Sequence, residues 1–166
     1  MSVDVILARR SIRKYTGDPL SEEQITKLLE AGMAAPSSNN RKPWHMITIQ
    51  DSNTLTKLAD AHPHGKMLKG AAAAIAVCGD TEIAPDFWIQ DCSAATENIL
   101  IAVAALGLGA VWLGCHPRKE RVEAIRKILR IPDTIGILSL ISIGHPGEEK
   151  APRTQYDASR DHREGW

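Results

Sequence analysis

Three arginines and a lysine fall inside one stretch near the N-terminus, RRSIRKY at residues 9–15, with Ser11 and Ile12 among them. A guanidinium presents its N–H groups in a fixed fork that matches the oxygens of a phosphate, and a serine hydroxyl adds a further donor. The stretch therefore reads in two ways: as an anion clamp, or as a solvated basic turn after a short helix. PSSNNRKPW, at residues 36–44, is turn chemistry from end to end. Ser37, Ser38 and Ser93 lie in no GxSxG elbow, and no histidine is placed to suggest a triad. His62-Pro63-His64 has no third ligand at a sensible spacing and reads as a turn, so no metal is expected. Lys66 follows a glycine but lacks the rest of a phosphate loop. No protein nucleophile or acid–base pair can be assigned.

The element that must position these residues is QDCSAATENILIAVAALGLGAVWLGC, residues 90–115. Asp91 or Ser93 can open a helix that is apolar nearly all round to Leu106, which places it inside the protein. Gly107 offers a left-handed stop. Ala110 to Leu113 then reads as a short buried strand ending at Gly114. Residues 99–115 carry no charge, but the run is broken by glycines and falls short of the roughly 20 residues of a membrane span. The glycine pair is no dinucleotide fingerprint. Trp112 stands where the third glycine belongs, and that motif follows a strand and opens a helix.

Around this core the chain is legible in order. Ser2 can cap a short helix bearing Val5, Ile6 and Leu7. Ser21 and Gln24 form a capping box, with Leu20 and Ile25 as a hydrophobic staple, for a helix bounded by Gly32 and Pro36. A strand follows at 44–50, then a helix capped by Asp51 and a small-residue strand at 71–78 suited to a central position. Pro117 opens a further helix, stopped by Pro132, and the last strand runs over 135–143. Residues 148–166 are polar, charged and almost coreless, so they are disordered or ordered only against another surface. Tyr156 and Trp166 favour the second. About four strands among five helices, without strict alternation, predict one α+β domain over residues 1–166.

Composition removes other classes. The 166 residues suffice for one domain with a real core. Twenty basic residues balance twenty acidic ones, so no general pull toward nucleic acid or membranes is expected. Cys78, Cys92 and Cys115 form no CxxC pair, which argues against zinc and iron–sulfur sites. Their odd number and apolar context fit a reducing cytoplasm, and no secretory leader is visible.

RRSIRKY, PSSNNRKPW and the QDCSAATENILIAVAALGLGAVWLG block, in this order, resemble the nitroreductase family of FMN-dependent oxidoreductases across essentially the whole chain. The resemblance implies a mixed central sheet of about four strands, joined by a partner-supplied tail and flanked by helices around a long buried central helix. It implies a homodimer with FMN at the interface and NADH or NADPH as donor. Arg9 and Ser11 would hold the phosphate, Arg10 would contribute through its backbone, and Arg13 would face the pyrimidine edge of the ring. Pro36, Ser37, Ser38 and Asn40 would come from the partner. Trp112, Leu113 and Gly114 would line the ring near N5 through their backbone. The tail would wrap the partner and supply a last phosphate contact, from Arg153 or from Lys150. Larger members carry an acidic residue at the position of Gly114 and an arginine at that of Gln155. Their substrate-contacting insertion is reduced here to residues 80–89, with Phe87 and Trp88 as apolar residues near a pocket. The implied activity is hydride transfer through flavin N5 to small planar acceptors such as nitroaromatics or quinones. The alternative is a flavin-binding sensor or reservoir without turnover.

Overall fold

The computed structural model describes residues 3–166; Ser2, the expected first cap, lies outside them. The described residues form α1 (Asp4–Ala8), α2 (Glu22–Met33), β1 (Trp44–Ile49), α3 (Ser52–Ala61), β2 (Ala73–Asp80), α4 (Trp88–Ala105), β3 (Gly109–Gly114), α5 (Lys119–Leu129) and β4 (Ile135–Gly144). Two helix starts, those of α2 and α3, follow local capping chemistry. Ser21 Oγ accepts the Gln24 N–H while Gln24 Oε1 accepts the Ser21 N–H, closing the capping box of α2. Asp51 caps α3 through the Thr54 N–H at 2.8 Å.

The strands pair in the order β1-β2-β4-β3, antiparallel throughout. Among the described residues, the one parallel contact is the isolated bridge between Ser11 and Ala110, and the mixed character of the expected sheet is confined to it. β2 is central and buried on both faces. Ala73, Ile75 and Val77 pack into one core cluster with α2 and α4. Ala74, Ala76 and Cys78 pack into a second cluster with α3 and α5. This alternation is the period-2 geometry of a strand covered on both faces.

α4 buries Trp88, Cys92, Ala95, Thr96, Ile99, Leu100 and Val103, a helical stripe laid on the sheet. It begins three residues before Asp91, because Trp88 has a place prepared for it. Gly79 and Gly136 are cross-strand partners, and a Cβ on either would lie within 2.9 Å of the Trp88 ring. The two glycines form a slot for the indole, which meets His116 edge-on at 5.2 Å. Trp88 is therefore core, not pocket lining. Phe87 remains exposed. α4 ends as expected: Gly107 adopts φ 69°, and the Leu108 N–H reaches back to Val103 O at 2.9 Å.

Candidate active site

The arginine stretch is held to the sheet by its apolar residues. After α1 the chain turns extended, and the Ile12 N–H donates to Ala110 O at 2.9 Å. A second cross-strand glycine pair, Gly109 and Gly144, makes room for it. A Cβ on Gly109 would lie 2.7 Å from Ile12 Cγ2, and one on Gly144 would lie 2.9 Å from Tyr15 Cδ1. The Tyr15 hydroxyl sits 3.1 Å from Ser142 O and 3.0 Å from Ile12 O, and burial pushes its pKa up to about 12.

With Ile12 and Tyr15 docked, the polar residues gather beside the start of the tail. Arg10, Ser11, Arg13, Lys150 and Arg153 line a cleft of about 280 Å³. Lys150 Nζ donates to Ser11 O at 2.6 Å and pairs with Glu148 at 3.2 Å. Glu148 accepts the Arg13 N–H at 2.6 Å. That bond first, and Lys150 second, hold its carboxyl below the ordinary range. Arg10 donates to Ala151 O, and the Arg153 N–H donates to Leu7 O. Four cations line one opening, and of these Lys150 is ion-paired to Glu148; they come from segments 140 residues apart in the chain, and together they offer an anion several donors. Arg9 stands apart, with its Nε 3.2 Å from Glu97 of α4. Together with Arg10 and Lys150 it lines an adjoining cavity whose floor includes Leu100, Val103 and Ala104.

The free edge of β3 lies alongside. The bond from Ile12 to Ala110 O turns the backbone groups of Ala110 away from β4, and the alternation of a strand gives Trp112 and Gly114 the same direction. Leu113 does the opposite: its backbone faces β4 and its side chain enters the second core cluster. Of the three residues named from this strand, Trp112 and Gly114 present backbone to the edge and Leu113 does not. A Cβ on Gly114 would meet nothing within 4 Å. The Gly114 carbonyl accepts from Arg121 Nη1 at 2.9 Å and lies 3.0 Å from His62 Nε2.

Loop 36–42 sits elsewhere. Asn39, Asn40 and Lys42 take φ values of 51°, 55° and 52°, the left-handed region that asparagine tolerates best. The Lys42 N–H donates to Ser37 Oγ at 2.9 Å. The Ser38 N–H donates to Asp91 Oδ1 at 2.9 Å, and Asp91 is buried with its other oxygen unpartnered. Pro36 and Asn40 are exposed, Ser37 and Ser38 half-buried. α4 thus holds this loop at its first turn, while residues 100–104 line the cavity beside Arg9 and Arg10. At 1.5 Å per residue those two ends are about 14–20 Å apart. Within one chain the loop and the cationic cleft are separate. Asp91, Glu148, His62 and Arg121 were not legible as site residues, since each acts through contacts made only once the chain has folded. The sequence marks Asp91 only as a helix opener, and the structure places it inside the first turn of α4.

Comparison with known proteins places the fold in a family. The model of the nitroreductase family matches residues 6–74 and 61–145. An Archaeoglobus fulgidus protein, provisionally named NADH dehydrogenase/NAD(P)H nitroreductase, is 46% identical over 98% of this chain and 97% of its own. A crystal structure from Parabacteroides distasonis, under the same provisional name, superposes with a TM-score of 0.97 at 44% identity, covering 99% and 98% of the two chains. A Desulfovibrio desulfuricans protein, provisionally named a nitroreductase and crystallised with FMN, superposes with a TM-score of 0.85 at 31% identity over 99% and 96%. Fold and relatives define a flavin oxidoreductase class. The chain belongs to the nitroreductase family.

Proposed function

We propose that this protein is an FMN-dependent NAD(P)H oxidoreductase working as a homodimer, with each flavin site built from both chains. The observation that carries the reading is the cationic cleft of Arg10, Ser11, Arg13, Lys150 and Arg153 beside the free edge of β3. The fit to FMN is chemical. The cleft supplies the donors a phosphate dianion needs, and the edge supplies backbone N–H and C=O groups of the kind a flavin's heteroatoms require. When bound, FMN supplies hydride chemistry, taking hydride from a nicotinamide at N5 and passing it to a nitroaromatic or quinone.

The chain's own residues bind and tune. Ser11, Arg10, Lys150 and Arg153 hold the phosphate, and Arg9 joins them by releasing Glu97. Arg13 places fixed positive charge at the pyrimidine edge, where it stabilises negative charge on the reduced ring by electrostatic preorganisation. Trp112 would offer backbone groups near N5, and Gly114 its N–H, since its carbonyl is already taken by Arg121 and His62. Pro36, Ser37, Ser38 and Asn40 complete the partner's site, which the separation of that loop from its own chain's cleft supports. Exposed Ile6 and Leu7 on α1 and Met33 on α2 supply apolar surface for the dimer, and residues 148–166, exposed beyond Lys150, wrap the partner.

The test is the visible spectrum of the purified protein, with release of the chromophore by acid and its identification by mass. Anaerobic titration with NADH and NADPH follows, then steady-state turnover with a quinone. A colourless protein that takes up no FMN overturns the reading. Bound FMN without turnover leaves the sensor or reservoir role in its place.

A further inference from the structure

β3 ends at Gly114, the residue with least intrinsic conformational restraint, and no side chain there braces the strand end. The peptide group that follows it is nevertheless held on both sides. Its carbonyl, Gly114 O, receives Arg121 Nη1 at 2.9 Å and His62 Nε2 at 3.0 Å. Its N–H, on Cys115, donates to Leu138 O at 2.9 Å. The direction of the histidine bond follows from the other ring nitrogen. The His64 N–H, which can only donate, points at His62 Nδ1 at 3.2 Å, so Nδ1 accepts and Nε2 carries the hydrogen. His62 is 3% exposed. It sits at the end of α3 and Arg121 on α5, so two helices from the far face of the sheet converge on one carbonyl.

We propose that His62 and Arg121 are positioning residues that clamp the Gly114–Cys115 peptide group and so fix the direction in which the end of β3 presents its backbone to the flavin. The clamp replaces the side-chain bracing that glycine cannot supply. Its role toward the flavin rests on the function proposed above; the clamp itself does not. Neither residue reaches the cationic cleft, and each acts only through the strand.

Two readouts test it. The first needs no flavin: amide hydrogen exchange at Cys115 in the free protein. A hydrogen bond contributes about 0.5–1.5 kcal/mol net, so His62→Leu speeds exchange at Cys115 roughly two- to thirteenfold. His62→Gln, whose amide N–H reaches the place of Nε2–H, stays near wild type. Arg121→Met is more exposed and tolerates truncation; it acts in the same direction as His62→Leu and serves if that variant folds poorly. The second readout is FMN affinity and the fine structure of the bound-flavin spectrum. Both change in His62→Leu and Arg121→Met, and His62→Gln restores both. Unchanged exchange at Cys115 in both disruptive variants overturns the clamp. Faster exchange with unaltered FMN affinity and spectrum overturns its role toward the flavin. A wild-type protein that takes up no FMN overturns the flavin site itself, and the exchange arm then decides the clamp alone.

Discussion

The arginine stretch depends on an empty space in the sheet, and one methyl group tests that dependence. In Gly109→Ala the new carbon would stand 2.7 Å from Ile12 Cγ2 and 2.9 Å from Ile12 Cβ. Carbon atoms in contact prefer about 3.5–4.0 Å, so residues 9–15 must retreat by roughly 1 Å. Both clashing atoms belong to the stiff, branched part of the isoleucine, and no rotamer escapes them. A retreat of that size stretches the 2.9 Å bond from the Ile12 N–H to Ala110 O beyond useful range. Overpacking of this kind costs about 1–3 kcal/mol. For a chain of this size that lowers the melting temperature by about 2–4 °C per kcal/mol. The anion cleft opens with the retreat, so FMN affinity falls as well. Gly70→Ala is the control, because its Cβ would meet nothing within 4 Å and its φ is not positive; it changes stability by less than about 0.5 kcal/mol. Adding Ile12→Ala to Gly109→Ala removes the Cγ clash, so the double variant loses less stability than the two single losses added. Calorimetry and FMN titration on the four variants decide it. If Gly109→Ala melts with Gly70→Ala and binds FMN as tightly, the glycine is not a socket for Ile12.

Four further outcomes are expected. If Arg13 faces the pyrimidine edge as proposed, Arg13→Met removes a charge-assisted bond worth about 1.5–3 kcal/mol and lowers the bound flavin's two-electron potential by roughly 30–65 mV, measured by redox titration against a reference dye. Lys150→Glu and Asn40→Asp each abolish FMN binding alone, yet an equal mixture refolded together regains about one site in four, because a mixed twofold dimer carries both lesions in one site and neither in the other; bound FMN per chain is the readout. Burial pushes the thiols of Cys78, Cys92 and Cys115 up to about 12, so native protein resists iodoacetamide at pH 8 and all three react in denaturant, as a mass shift shows. Burial also holds the His62 pKa below its ordinary 6.5; the unfolded chain then takes up a proton that the folded one refuses, so stability falls as pH drops below about 6.5, and His62→Gln flattens that part of the pH–melting curve.

The local features were the legible ones. The capping box at Ser21 and Gln24, the Asp51 cap and the left-handed Gly107 stop each depend on residues within a few positions, and all stand as the sequence implied. β2 was recognisable because only small and branched residues suit a strand covered on both faces. Trp88 was misassigned to the pocket because its slot is made by Gly79 and Gly136, and nothing in the sequence near Trp88 reports that two distant glycines pair opposite it. Leu113 was grouped with its neighbours because strand direction is invisible until one hydrogen bond, Ile12 to Ala110, fixes which residues face outward. The pairing of Arg9 with Glu97 was hidden for a similar reason: a cation's partner is set by the helix that passes it, not by its own motif.

The stitching of the arginine stretch also orders events in time. Arg13 is bonded to Glu148 and Ser11 to Lys150, while the Thr16 N–H reaches His145 O and the Gly147 N–H reaches Lys14 O. A ribosome delivers residues 9–15 long before these partners. The 139 residues that follow Ser11 up to and including Lys150 take about 7–28 s to synthesise. Through that interval Arg9 can meet Glu97 and Ile12 can meet Ala110, but Arg13 lacks Glu148, Ser11 lacks Lys150, and the cleft is incomplete. The cleft is therefore complete only once residues 145–153 have left the exit tunnel, and a chain interrupted before β4 lacks it.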